Sequence, residues 1–119
     1  MVFGMQGLSV RARALLPDLF RGMNKTEARY AALLQADWLR GKIARWDFEP
    51  VTLRLADRTS YTPDFRVILP DGLEEYHEVK GFWRDDARVK IKVAAALHPY
   101  RFVAVKMVGG TWKREEIGA

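Results

Sequence analysis

The chain has 119 residues, 49% of them hydrophobic and 29% charged, and its twenty Lys and Arg outnumber fifteen Asp and Glu for a formal net charge of +5. That length and balance suit one domain with its own core, and the basic excess favours anionic partners such as nucleic acid. Cysteine is absent, which excludes disulfides, thiolate zinc sites and a cysteine nucleophile, and no apolar run approaches the roughly 20 residues that span a bilayer. The opening MVFGMQGLSVRARALL carries no signal-peptide cleavage pattern, so the expectation is a cytoplasmic protein without a membrane partner.

Residues 1–22 set Arg11, Arg13 and Arg21 among Leu15, Leu16, Leu19 and Phe20, which is compatible with a short amphipathic helix or with a basic arm. Asn24-Lys25-Thr26-Glu27 then has the form of a capping box and predicts a helix to about Arg40, closed by Gly41. A rotation of about 100° per residue puts Glu27, Tyr30, Ala31, Leu34 and Trp38 on one stripe. Glu27 therefore either simply caps the helix or heads its buried face.

Extended segments follow at Ile43–Glu49 and at Val51–Leu55, where Val51, Leu53 and Leu55 alternate with Thr52 and Arg54. After a turn at Ala56-Asp57-Arg58-Thr59, strands are predicted over Thr62–Leu69 and Leu73–Lys80, joined into a hairpin by Pro70-Asp71-Gly72. Asp85 or Asp86 is placed to cap a second helix that runs to Leu97 before Pro99. Arg101–Val108 reads as a last core strand, and Gly109-Gly110 leads into a tail, residues 109–119, with Trp112, Lys113 and Arg114. The expected organisation is thus an N-terminal segment 1–22, a single domain over 23–108 and that tail.

The hairpin explains the acids around it. If its loop is the three residues Pro70, Asp71 and Gly72, Leu69 faces Leu73 and Asp64 lies across from Glu78. Residues that face one another share a side of the sheet, and Lys80 joins them because side chains repeat every second residue. Arg66, Ile68, Glu74 and Tyr76 would share that polar side, leaving Phe65, Val67, Leu69, Leu73 and Val79 to the core. His77 also falls on the core side and reads as a structural histidine. Two carboxylates in opposed positions repel at a Cβ separation of roughly 5 Å, so something positive should stand between them. Lys80 or Arg66 could supply it; a divalent cation that takes oxygen ligands, such as Mg²⁺, does so better, because it accepts one or two carboxylates, waters and a substrate phosphate.

Pro63-Asp64, thirteen residues, then Glu78-Val79-Lys80 resembles the signature of the PD-(D/E)xK nuclease superfamily. The predicted order of helix, three strands, helix, strand over Asn24–Val108 is similar to that family's core. The resemblance implies an α/β fold, a restriction-endonuclease-like αβββαβ core with a central mixed sheet flanked by helices. Within the superfamily, "NKTEARYA", "YTPDF" and "HEVKGFW" resemble small phage-encoded nucleases, including endonuclease I and Holliday-junction resolving enzymes. What this implies is a homodimer that makes paired symmetric nicks in branched double-stranded DNA, in the cytoplasm of a bacterial host if the gene is carried by a phage.

The implied chemistry is hydrolysis of a phosphodiester with Mg²⁺ or Mn²⁺ held by Asp64, Glu78 and the Val79 carbonyl, with Glu27 on a second ion or its water. Lys80 would orient the attacking hydroxide and offset charge on the phosphate. Arg88, Lys90 and Lys92 of the second helix and Lys25 of the first are candidates for contacts to the DNA backbone. Trp83 and Phe82 either stack on opened bases or pack at the strand exit.

Overall fold

The computed structural model describes residues 19–81 and 84–118. Helix α1 spans Lys25–Leu39. The Asn24 side chain accepts from the Glu27 amide at 2.8 Å, and Glu27 Oε1 accepts from the Asn24 amide at 2.9 Å, so the predicted capping box is formed at both ends. The helix ends at Arg40, and Gly41 follows at a φ of 76°, a left-handed angle that suits a residue without Cβ. Tyr30, Ala31 and Leu34 are its buried residues, while Trp38, expected on the same stripe, is 44% exposed.

Among the described residues seven strands and a second helix follow: β1 Arg45–Phe48, β2 Leu53–Ala56, β3 Thr59–Tyr61, β4 Phe65–Ile68, β5 Glu74–Val79, α2 Asp85–Leu97, β6 Arg101–Val108 and β7 Thr111–Ile117. Five strands form one sheet in the order β1-β4-β5-β6-β7, and β2 and β3 form a separate two-stranded hairpin. In the main sheet only β5 and β6 run parallel. Helix α2 is the crossover that a parallel pair requires. The domain is accordingly α+β, with one crossover in a mixed sheet, rather than α/β.

The β4–β5 hairpin has the predicted register: Phe65 pairs with His77, Arg66 with Tyr76, Val67 with Glu75 and Ile68 with Glu74. Gly72 in its loop has a φ of 90°, and the Leu73 amide is bonded to the Asp71 carboxylate at 3.0 Å. Helix α2 starts one residue earlier than a carboxylate cap would place it. Its N-cap is Arg84, which makes no side-chain cap bond, and Asp85 and Asp86 sit in the first turn, where their charge suits the helix dipole.

Two regions differ from expectation. The strand foreseen over Thr62–Leu69 is shorter, and residues ahead of it turn back as β3 to pair with β2, with Leu53 opposite Tyr61. The tail foreseen over 109–119 is largely strand β7, paired with β6 from Val108–Thr111 to Phe102–Ile117. Gly109 and Gly110, at φ 57° and 79°, make the two-residue connection that such a hairpin favours. The N-terminal segment 1–22 lies outside the described residues up to position 18.

The sheet is covered on both faces. Beneath α1, Tyr30, Ala31 and Leu34 pack on Trp46, Phe65, Val67, Val79, Val103 and Val105. Phe65 is fully buried, with its ring 5.5 Å from Tyr30, 5.9 Å from Trp46 and 5.3 Å from Phe48. On the other face Tyr61, Tyr76, Ile91, Ala94 and Phe102 form a second core, backed by Val51, Leu53 and Leu55. The side expected to be polar is therefore a core of its own, because α2 and the β2–β3 hairpin lie over it. Leu73, expected in the core, is half exposed beside the turn.

Candidate active site

The two acids meet where β4 begins and β5 ends. Asp64 immediately precedes β4, in step with the hairpin register, and Glu78 is the penultimate residue of β5. Here side chains take over from the backbone ladder: Asp64 Oδ2 accepts from the Val79 amide at 2.8 Å, and Glu78 Oε1 accepts from the Asp64 amide at 3.3 Å. Each carboxylate is thus tied to the other's strand. Just beyond β5, the Lys80 amide donates to the Val105 carbonyl of β6 at 2.9 Å, which continues the parallel pairing. The site sits at the carboxyl ends of that parallel pair, where open sheets that contain parallel strands commonly present ligands.

Lys80 Nζ lies 3.0 Å from Glu78 Oε2. Burial works against the lysine's charge, but Glu78, Asp64 and Glu27 more than offset it and raise its pKa above the ordinary value. Arg66, the other candidate counter-ion, turns instead to Asp47 at 3.0 Å. Asp64 and Glu78 are both buried. Burial and the Glu78 charge push Asp64 up to about 7, against the Val79 amide, with Glu27 adding to the rise and Lys80 reducing it. Among the described residues the two carboxylates face the one ammonium of Lys80, and below about pH 7 Asp64 relieves the imbalance by holding a proton.

The donor set fits a divalent cation in its chemistry: two carboxylates from adjacent strands, with solvent and a phosphate left to complete the shell of a hard cation. Among the described residues no group of three or more His, Cys, Asp or Glu is placed to hold a metal by itself. Glu27 is not drawn into the pair; its Oε1 closes the α1 cap, and its influence on Asp64 and Lys80 is through charge.

One contributor has no signal in the local sequence pattern. Tyr61, the last residue of β3, is buried and donates its hydroxyl to Glu78 Oε1 at 2.7 Å. Only the reversal of the chain at Asp57-Arg58 brings it over the site. Burial, the Glu78 charge and that hydrogen bond all raise its pKa well above that of a free phenol, so it stays a donor.

The candidate DNA-contacting residues are dispersed. Lys90 is exposed and bonds the Ser60 carbonyl of β3 at 3.2 Å, Arg88 pairs with Glu115 of β7 at 2.6 Å, and Lys92 and Lys25 are exposed. Trp83 and Phe82 lie outside the described residues.

A second buried acid occupies the α1 face. Glu75 is bonded to His77 at 2.8 Å, to Arg101 at 3.0 Å and, more loosely, to Arg114 at 3.5 Å. The Tyr30 hydroxyl is 2.5 Å from His77 Nδ1. Burial lowers the His77 pKa, although Glu75 pulls the other way, so the ring is neutral, accepting from Tyr30 and donating from Nε2 to Glu75. A cavity of about 220 Å³ adjoins this cluster, lined in part by Leu34, Asp37, Trp112 and Arg114.

Comparison of the chain with protein-family models, with curated proteins and with solved structures finds no match.

Proposed function

We propose that this chain is a metal-dependent endonuclease that hydrolyses phosphodiester bonds in DNA. The observation that carries the reading is the buried Asp64–Glu78 pair with Lys80 beside it, at the carboxyl ends of the parallel β5–β6 pair. With the β2–β3 hairpin taken as an insertion and β7 as an addition, the elements run α1, β1, β4, β5, α2, β6, and this order supports a restriction-endonuclease-like αβββαβ core. The excess of basic residues suits a polyanionic substrate.

Asp64, Glu78 and the Val79 carbonyl would hold Mg²⁺ or Mn²⁺. The ion, when bound, supplies Lewis acidity at the phosphate and a water of lowered pKa. Glu27 would act on a second ion or on its water from the head of α1. Lys80, charged and close to Glu78, offsets the charge of the phosphate and orients the water. The Val79 amide donates to the Asp64 carboxylate and the Lys80 amide to the Val105 carbonyl, which anchors the backbone from which the lysine side chain extends.

Branched DNA is the proposed substrate and a homodimer the proposed form, the arrangement that paired nicks in a Holliday junction require. The test is incubation of the purified chain with a four-way junction, a flap and a linear duplex, in Mg²⁺, in Mn²⁺ and in EDTA. Cleavage of the junction in metal alone is expected. Equal cleavage of linear duplex keeps the nuclease and removes the resolvase, whereas no cleavage of any substrate removes the enzyme and leaves a DNA-binding domain.

A further inference from the structure

We propose that Tyr61 is a positioning residue that presets Glu78 for its cation, and that the β2–β3 hairpin serves to deliver its hydroxyl; this rests on the metal site proposed above. Among the described residues Glu78 receives bonds from three segments of the chain. The Asp64 amide reaches Oε1 at 3.3 Å, Lys80 reaches Oε2 at 3.0 Å and Tyr61 reaches Oε1 at 2.7 Å. The amide contact is long for a hydrogen bond. The lysine sits on a flexible four-carbon stem, with its side chain 29% exposed. The tyrosine alone joins a short bond to a rigid mount.

That mount is built from the second core. Tyr61 belongs to the buried cluster of Tyr76, Ile91, Ala94 and Phe102, which holds its ring more firmly than solvent holds the lysine. The hairpin that carries it stands outside the main sheet and is bonded to α2 and its C-cap, Lys90 Nζ to the Ser60 carbonyl at 3.2 Å and His98 Nε2 to the Arg54 carbonyl at 3.1 Å. Thr52 and Thr62 close its open end with a 2.8 Å bond between hydroxyls. A buried hydroxyl and an amide both engage Oε1, so Oε2 is the oxygen that a cation would share with Lys80. Without the phenol, the carboxylate is free to follow the lysine.

Partners that orient a metal ligand are typically worth about 10-fold to 100-fold in metal affinity. Tyr61→Phe deletes one oxygen and keeps the ring. On the full chain stripped with EDTA, calorimetric titration with Mn²⁺ is expected to give a dissociation constant about 10-fold higher for Y61F than for wild type. Cleavage should fall at limiting Mn²⁺ and recover at saturation. Ile91→Val is the control for packing: it thins the same core without touching the hydroxyl, and its Mn²⁺ affinity should equal that of wild type. All three proteins are titrated at a temperature at which melting curves show them folded.

Wild-type affinity in Y61F, or an equal loss in I91V, overturns the role of Tyr61 and leaves the metal site standing. A folded wild type that takes up no Mn²⁺ overturns the metal site and this proposal together.

Discussion

Glu75 and Asp64 are both buried acids in the same hairpin, yet they are driven in opposite directions. Glu75 is held down to about 2, first by the hydrogen bond from His77 and then, against its burial, by Arg114 and Arg101. Asp64 is pushed up to about 7 by its burial and then by the charge of Glu78. Burial raises both; at Asp64 the Glu78 charge adds to it, whereas at Glu75 the hydrogen bond from His77 outweighs it. Glu75 is satisfied by the chain itself and belongs to the framework, whereas the Asp64–Glu78 pair sets two carboxylates against the one ammonium of Lys80, the imbalance on which the proposed cation site rests.

The widest separation between the two clusters should appear in activity. Glu78→Gln should reduce cleavage to the level of the EDTA control while leaving binding to DNA and the melting temperature close to wild type. Glu75→Gln should do the reverse. It removes the buried acid that Arg101, Arg114 and His77 all address, and is expected to cost about 2 kcal/mol, or several degrees in melting temperature, with cleavage per folded molecule retained. An E75Q protein that melts as wild type but no longer cuts would exchange the roles assigned to the two acids.

The dependence on pH sharpens the contrast. The folded pKa of Glu75 lies below its ordinary 4.5, so its contribution is present above that value and is lost as the pH falls towards 2. The folded pKa of Asp64 lies above its ordinary 3.8, so its contribution is present below that value and is lost as the pH rises through 7. In EDTA, wild type should therefore lose stability relative to Asp64→Asn between about pH 4 and about pH 7, by about 1 kcal/mol or more. Mg²⁺ should narrow that gap at the upper end, since it binds the ionised form. Melting curves at a series of pH values, with and without Mg²⁺, read both effects.

The smallest effect belongs to the surface. Lys90→Ala removes an exposed charge and its bond to Ser60. If Lys90 contacts the DNA backbone, the variant should bind junction and duplex alike more weakly and reduce the slope of log affinity against log salt by about 1. A fluorescence anisotropy titration over a range of salt concentrations checks it.

The framework was legible where the chain announces itself locally. Asn24 and Glu27 mark the start of α1, Pro70-Asp71-Gly72 fixes the hairpin, and the three-residue loop fixes the register that sets Asp64 against Glu78. The hidden parts depend on contacts between residues far apart in the chain. Nothing near Tyr61 says that it will fold over Glu78, seventeen positions away. Nothing near Glu75 says that Arg101 and Arg114 will reach it. The second core was misread as a polar side because Arg66, Glu74, Glu78 and Lys80 dominate that side of the hairpin, whereas the apolar residues that cover it come from α2 and β3. Strand β7 was hidden by its own charges: Lys113, Arg114, Glu115 and Glu116 suit a strand at the sheet's edge, where charge discourages pairing with other chains.

That final strand works as a clasp. Trp112 reaches the core under α1, Arg114 reaches Glu75, Ile117 reaches the core under α2, and Glu115 holds Arg88. A protein shortened at Gly110 would forfeit a grip on each layer at once.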